Sequence, residues 1–264
     1  MDESLNPSLV TYYQLSRNTA YVALHPQRKE PIGTGWQNNP ISAEKALLQH
    51  ENLHYNIGLI NGEVSGIVDV DLDCGEATQL APVLLPQPIA MFGHGGNNRS
   101  HWLFRCDNSG KTKLFNCPDT GATLVELRSN GSQTMIPPSV HPTGARLEFT
   151  SISDSAPSVD FVALQSAVGL LAAASFMAQN WKSGSRHNLS LGFSGLLLKT
   201  GVKADLIEKI VENICLLAQD EEVQDRINTV RTSARKQAHE LAGYTMLVGI
   251  LGDKAAKKIS EWVG

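Results

Sequence analysis

The chain has 264 residues, of which 42% are hydrophobic and 18% are charged, and its formal net charge is −4 at pH 7. This composition excludes a disordered chain, and it lacks the basic surplus that DNA-binding domains usually carry. Residues 1–160 hold 10 Lys and Arg against 16 Asp and Glu, whereas residues 161–264 hold 12 against 10. The acidic surplus therefore lies in the first part, where bound metal ions would offset some of it.

The sequence is not typical of an exported or membrane-anchored protein. The first residues have neither the basic nor the apolar region of a signal peptide. The longest apolar stretch, residues 161–178, contains Gln165 and Ser166, and we expect it to be too short and too polar to span a membrane. The four cysteines form no C-x-x-C pair, which predicts a reduced cytoplasmic chain.

The first part of the chain is predicted to be α+β. We expect a helix around residues 9–17, an apolar strand at 20–24, and a second helix over 42–51 that Ser42 is placed to cap. Short strand-like runs follow, separated by Gly, Pro and Asn clusters, at residues 56–60, 66–73, 89–92, 100–105, 123–128 and 132–136. Helices mixed with closely spaced strands favour an α+β sheet over a regular βαβ array.

The second part is predicted to be an all-helical bundle. A Ser-Ala-Pro-Ser segment at 155–158 is typical of a domain boundary. Beyond it, apolar residues recur at helical spacing over 189–197 and 206–214, and Gly201 is a plausible stop between these two helices. We therefore expect two domains, at residues 1–158 and 159–264.

The string IVDVDLD at residues 67–73 is the strongest chemical signal. Side chains alternate along a strand, so Asp69, Asp71 and Asp73 are predicted to share one face. Three carboxylates cannot pack unpaired into an apolar core, and oxygen ligands on one strand face suit Mg²⁺ or Mn²⁺. A solvated sheet edge would give the same string, so the string alone leaves both interpretations open.

A glycine-rich segment, GHGGNNRSH at residues 93–101, comes next. Its backbone N–H groups and the side chains of Arg99, Ser100 and His101 are suited to binding a polyphosphate, although most glycine-rich loops are simply turns. Neither this segment nor the Gly-Lys-Thr at 110–112 matches a Walker A loop, so no ATPase motor is predicted.

A third signal combines Glu126-Leu127-Arg128 with the loop PPSVHPTG at residues 137–144. Glu126 and Arg128 alternate onto one strand face, where the carboxylate could bind a metal ion and the guanidinium could bind phosphate. An exposed ion pair is the alternative. Two prolines stiffen the following loop, which presents Ser139 and His141.

The order of these segments resembles the bifunctional primase–polymerase domain of the archaeo-eukaryotic primase superfamily over about residues 10–150. The segments that carry the resemblance are Lys29-Glu30-Pro31, Gly35-Trp36, Asn56-Ile57-Gly58-Leu59, Ser65-Gly66, the D-x-D pair, Ser100-His101, Glu126-Leu127-Arg128 and PPSVHPTG. The resemblance implies an RRM-like antiparallel sheet flanked by helices. It also implies template-dependent primer synthesis and extension on single-stranded DNA by two-metal phosphoryl transfer.

The resemblance also implies the residues of the site. It places the metal-binding D-x-D at Asp71 and Asp73, the third carboxylate at Glu126 and a catalytic histidine at His101, with two Mg²⁺ or Mn²⁺ ions as cofactors. The residues expected to bind the nucleoside triphosphate are Ser100, Arg99, Arg128, Ser139, His141, Lys29, Asn56 and Gly35. Ser100 directly precedes His101, whereas many family members have one residue between, and this departure weakens the assignment of Ser100.

The helical part resembles the region that follows such domains in phage and plasmid replication proteins, through GSRHN at 184–188 and DRINTVR at 225–231. This resemblance implies a role in template binding and initiation. The partners that it implies are a template, a primer, dNTP or NTP, and a replicative helicase in the same chain or another. It implies no membrane partner. The implied location is the cytoplasm of a bacterial or archaeal cell. The gene could be carried by a phage or plasmid.

Two other functions remain open on the sequence. The same carboxylates could serve a metal-dependent nuclease, because hydrolysis also uses paired ions. The chain could instead be a non-catalytic single-stranded DNA-binding module of a replication complex. The candidate triphosphate-binding residues argue against the first function, and the clustered carboxylates, which repel one another when unused, argue against the second.

Overall fold

The computed structural model describes residues 19–264, so the helix expected around residues 9–17 lies outside the described residues. Within that range, two antiparallel sheets precede a series of helices. This order confirms the predicted α+β class with a helical region at the end of the chain.

The small sheet has three antiparallel strands in the order β1–β2–β8. They are β1 (Tyr21–Leu24), β2 (Asn56–Ile60) and β8 (Gln133–Ile136). All five residues of the central strand β2 are buried, and helix α1 (Ala43–Leu53) packs against β1 and β2. Ser42 caps α1 by accepting a hydrogen bond from the backbone N–H of Lys45 at 3.3 Å, which confirms the predicted cap.

The large sheet has six strands in the order β6–β7–β3–β5–β4–β9. They are β3 (Ile67–Leu72), β4 (Ala90–His94), β5 (Asn97–Arg105), β6 (Lys113–Asn116), β7 (Thr123–Arg128) and β9 (Glu148–Ile152). Strands β6 and β9 were not predicted, because both are short and lack alternating apolar residues. The strand β3 pairs antiparallel with β5, which sets Asp71 opposite His101.

The last hundred residues are helical, as predicted. One helix, α2 (Gly75–Leu84), precedes this region and was not predicted. The helices of the region itself are α3 (Phe161–Gln179), α4 (Arg186–Lys199), α5 (Ala204–Leu217), α6 (Val223–Ser233), α7 (Tyr244–Leu251) and α8 (Asp253–Val263). Gly201 lies just beyond α4 with φ of +86°, a left-handed conformation that glycine adopts without strain. It ends the helix where the sequence predicted a stop.

By their internal contacts the described residues divide into two compact units. The sheet unit comprises the described residues up to Leu72, Pro86–Leu114 and Glu126–Leu164. The helical unit comprises Asp73–Leu85, Phe115–Val125 and Gln165–Gly264. These units alternate along the chain, whereas the predicted domains at 1–158 and 159–264 are consecutive. The functional division between those two domains stays a prediction.

Helix α3 is apolar along its whole length. It is the one helix among the described residues that is long and apolar enough to cross a membrane, with a mean hydropathy of 1.8. The expectation that this stretch is too polar was therefore wrong, because the other residues of the 18-residue window keep its mean hydropathy high despite Gln165 and Ser166. However, 67% of that window is buried in the structure, as expected for a helix in the core of a folded protein.

Gly195 in α4 tests how closely the helical unit is packed. A Cβ atom built on Gly195 would lie 1.9 Å from the backbone oxygen of Ala242, whereas one built on Gly249 in α7 meets nothing within 4 Å. We expect Gly195→Ala to lower the free energy of unfolding by about 1–3 kcal/mol through overpacking. Gly249→Ala should raise it by about 0.5–1 kcal/mol through helix propensity. Urea unfolding of both variants measures this contrast, and equal effects would contradict the close packing.

Candidate active site

Two aspartates lie inside the large sheet on the same face of β3. All six residues of β3 are buried, and the exposed fractions of Asp69 and Asp71 are 0% and 6%. A buried carboxylate is costly unless charged or hydrogen-bonding partners compensate it. The site is therefore defined by what surrounds these two side chains.

His101 on β5 contacts both aspartates. Its Nδ1 lies 3.0 Å from Asp69 Oδ2 and 3.5 Å from Asp71 Oδ1, and its ring stacks on Phe92 with centroids 4.7 Å apart. Burial disfavours the imidazolium, but the two carboxylates outweigh it and raise the pKa of His101. Burial likewise opposes ionisation of Asp69, yet the positive charges of His101 and Arg128 hold its pKa below the usual value.

Arg128 on β7 joins Asp71 to Glu126. Its Nη2 lies 2.5 Å from Asp71 Oδ2, and its Nε donates to Glu126 Oε2 at 2.8 Å. Burial disfavours the guanidinium charge, but the carboxylates of Asp71, Asp69 and Glu126 raise the pKa of Arg128 above its ordinary value. The predicted alternation of Glu126 and Arg128 thus places both side chains beside Asp71.

The carboxylates match the chemistry of a hard divalent cation. Among residues 19–264, no group of three or more His, Cys, Asp and Glu side chains is arranged to hold a metal ion. The Arg128 guanidinium contacts the carboxylates of both Asp71 and Glu126. Carboxylate oxygens are the type of ligand that Mg²⁺ and Mn²⁺ prefer. Asp73, just past the end of β3, is exposed, and its backbone N–H donates to the carbonyl of Leu124 at 3.0 Å.

A pocket opens in the sheet unit beside these residues. Its lining consists of Lys29, His94, His101, Arg128, Gln133, Met135, His141 and Leu147. Four predicted site residues therefore meet in one place, drawn from four separate segments of the chain. Basic groups dominate the lining, and such groups bind phosphate oxygens.

A family model covers the part of the chain that carries these residues. The family model described as "Bifunctional DNA primase/polymerase, N-terminal" matches residues 12–159, more than half of the chain. The chain belongs to this primase/polymerase family. A comparison with curated proteins gave no match. Members of the family generally depend on divalent metal ions and act on DNA and nucleotides.

Asn56 and Ser139 hold the loop that carries the family's PPSVHPTG segment. The Asn56 side chain is buried, donates to the carbonyl of Val140 at 2.8 Å and accepts from its N–H at 2.9 Å. The buried Ser139 hydroxyl accepts from the N–H of Ile57 at 2.8 Å. Both side chains fix the backbone beside His141, and their predicted contact with a nucleotide stays a prediction.

Three further residues assigned to the primase/polymerase site do not line the pocket. Gly35 has φ of +69° and precedes a short 3₁₀ helix, Trp36–Asn38. Arg99 is exposed, whereas Ser100 is 9% exposed. Their predicted roles in binding the triphosphate stay predictions. Conversely, the pocket contains His94, which sequence analysis did not single out although it lies within the glycine-rich segment.

His94 and His141 stack in this pocket with ring centroids 3.8 Å apart. Burial first, and then the charges of Lys29 and His101, lower the pKa of His94. Burial, His94 and Lys29 lower the pKa of His141 in the same direction. The folded protein therefore favours neutral forms of both rings more strongly than the unfolded chain does.

This pair predicts a loss of stability in mild acid. Since both folded pKa values are lowered, their stabilising effect is present above the ordinary histidine value of about 6.5 and is lost as pH falls below it. We expect the free energy of unfolding to fall less between about pH 7.5 and pH 5.5 in His141→Gln than in the parent. The raised pKa of His101 has the opposite effect on the pH dependence of stability. His101 is present in both proteins, so the comparison isolates the effect of His141.

Urea unfolding at the two pH values measures this difference. The control is His187→Gln, which alters an exposed histidine of the helical unit. An unchanged pH dependence in His141→Gln would contradict the effect of the stacked pair.

Proposed function

We propose that this chain is a template-dependent nucleotidyltransferase that starts primers and extends them on single-stranded DNA. The observation that supports this most directly is the meeting of Asp71, Glu126, His101 and Arg128 beside one basic pocket in a chain of the primase/polymerase family. The carboxylates provide metal ligands and the pocket provides phosphate donors. Both are needed to join a nucleoside triphosphate to a primer.

Asp71, Asp73 and Glu126 would hold two Mg²⁺ or Mn²⁺ ions. When bound, such ions favour deprotonation of the primer 3′-hydroxyl and neutralise the leaving pyrophosphate. Each carboxylate contributes negative charge and oxygen donors, and the buried β3 strand keeps the position of Asp71 fixed.

Arg128 and His101 would bind the phosphates. In the structure the Arg128 guanidinium neutralises Asp71 and Glu126, the two carboxylates assigned to the metal ions. Because Arg128 also lines the pocket, a guanidinium that leaves these carboxylates stays within reach of a phosphate there. His101 and Lys29 line the same pocket and add further donors.

The setting of this activity is also part of the proposal. The resemblance supports replication of a phage, plasmid or other mobile element in the cytoplasm, with a helicase as a partner. A primer-synthesis assay tests the activity itself, with single-stranded DNA, labelled nucleotides, and Mg²⁺ or Mn²⁺. Products longer than one nucleotide are expected. Cleavage of the template without incorporation would indicate a nuclease, and binding alone would indicate a non-catalytic module.

The proposed metal ligands can be tested one by one. Asp71→Ala, Asp73→Ala or Glu126→Ala should each lower the rate of incorporation by about a thousandfold or more, because several kcal/mol of transition-state stabilisation is lost. Asp69→Ala should have a milder effect, since the family register places it outside the pair. Asp154→Ala, at an exposed position of the sheet unit, is the control. Near-normal incorporation by the Asp71→Ala, Asp73→Ala double variant would refute the ligand assignment.

The helical unit offers fewer cations for the template than its sequence suggests. Arg226 is 6% exposed and pairs with Asp220 and Glu222, and Arg186 pairs with Asp220 and Glu221. Arg231 pairs with Glu208 in the same way, with Nη2 to Oε2 at 2.9 Å. Of the basic residues considered for template binding, His187, Arg235 and Lys236 are exposed, and no ion pair of theirs is found among the described residues.

We expect these exposed cations to support initiation more than extension. Starting a primer requires two nucleotides and a template to be held without a duplex, which has a larger entropic cost than extension. Arg235→Glu with Lys236→Glu should therefore reduce primer synthesis about tenfold while leaving extension of a supplied primer nearly unchanged, and should weaken the salt dependence of template binding.

The matched control reverses the same number of charges on α8 through Lys254→Glu with Lys257→Glu. Both lysines are exposed. Equal losses of initiation and extension in the Arg235, Lys236 variant, or equal effects of the two charge reversals, would refute a specific role for that surface.

A further inference from the structure

Asp69 is buried beside the proposed metal ligands, but the family register gives it no role. Its exposed fraction is 0%, and its Oδ2 accepts two hydrogen bonds. His101 Nδ1 donates at 3.0 Å and Thr134 Oγ1 donates at 2.8 Å. These two donors, together with the nearby charge of Arg128, compensate for burial of the carboxylate.

Thr134 is itself held in place on β8. Its hydroxyl oxygen accepts a hydrogen bond from Asn61 Nδ2 at 3.0 Å, so its proton is directed to Asp69. Thr134 has an exposed fraction of 0% and Asn61 of 1%. A buried series of hydrogen bonds therefore runs from Asn61 through Thr134 and Asp69 to His101. Such a series fixes the orientation of each member.

The hydrogen bond to Asp69 determines which nitrogen of His101 is available to a ligand. Nδ1 is occupied by Asp69, which leaves Nε2 as the nitrogen for a ligand in the pocket. Phe92 stacks on the ring with an interplanar angle of 10° and restricts its tilt. A carboxylate on one nitrogen and an aromatic ring on one face set both the tautomer and the rotamer of a histidine.

We propose that Asp69 is a positioning residue that, braced by Thr134, fixes His101 so that Nε2 donates to the triphosphate of the incoming nucleotide. This proposal rests on the proposed function. Asp69 contacts no substrate and acts only through His101. A hydrogen-bond donor that is already held in the bound orientation binds its ligand more tightly. Loss of Asp69 should therefore weaken nucleotide binding and leave template binding intact.

The competing role for Asp69 is that of a third metal ligand on β3. Its Oδ1 is buried and has no hydrogen-bond partner among residues 19–264, so one oxygen remains that a cation could use. The two roles differ in what they require of His101. A metal ligand acts whether or not His101 is present, whereas a positioning residue does not.

A double-mutant cycle between Asp69→Asn and His101→Ala separates the two roles. Nucleotide affinity is measured for dATP with Mg²⁺ on a primer–template whose primer ends in a dideoxynucleotide, so that binding is read without incorporation. We expect Asp69→Asn to weaken dATP binding about tenfold in the parent and less than twofold in the His101→Ala background. Template affinity, read by fluorescence anisotropy, should not change. Asp154→Asn is the matched control.

Mn²⁺ binding without nucleotide, followed by electron paramagnetic resonance, provides the second readout. Asp69→Asn should leave it unchanged. A fall in Mn²⁺ affinity, or an equal loss of dATP affinity in both backgrounds, would overturn the positioning role. If His101→Ala alone leaves dATP affinity unchanged, the assignment of His101 in the proposed function fails instead.

Thr134→Val provides an independent variant if Asp69→Asn fails to fold. It removes one donor to Asp69, keeps the shape of the side chain and leaves the carboxylate in place. We expect a smaller loss of dATP affinity that again disappears in the His101→Ala background. Thr150→Val, at an exposed position on β9, is its control. A loss that persists without His101 would overturn the proposal.

Discussion

Two buried carboxylates on β3 impose the main constraint on the sheet unit. Asp69 and Asp71 are tolerated inside the sheet because His101 arrives from β5, Arg128 from β7 and Thr134 from β8. Side chains alternate between faces, so a shift of one residue in the pairing of β3 with β5 would move His101 away from both aspartates. Electrostatics therefore fixes the strand register here, in addition to apolar packing.

The two edges of the pocket are held by different means. On the sheet side, the buried acids and their cationic partners keep the side chains in place. On the loop side, the Asn56 side chain binds the backbone of Val140, the Ser139 hydroxyl accepts from the N–H of Ile57, and both so support His141. The polar residues predicted to bind a ligand thus include some that line the pocket and some that hold the loop beside it.

Much of the site could be predicted from the sequence, because local rules govern it. The alternation in β3 and β7 predicted that Asp69 and Asp71 share a face and that Glu126 lies near Arg128. The burial of Asn56 and Ser139 could not be predicted, since it depends on pairing between segments about 80 residues apart. The ion pairs of Arg186 and Arg226 with Asp220 were also missed, although these residues lie closer together in the chain. Charge alone cannot show whether a cation faces solvent or a buried acid.

The alternation of the two units along the chain affects how the protein folds during synthesis. The helical unit needs Asp73–Leu85 and Phe115–Val125 as well as the residues from Gln165 onward. The first two segments leave the ribosome long before the helices with which they share a unit. Their apolar side chains therefore stay incompletely buried until those helices have been synthesised. Contacts between such distant segments slow folding and prolong exposure to aggregation. A nascent chain that pauses before residue 165 would therefore be a natural substrate for chaperones.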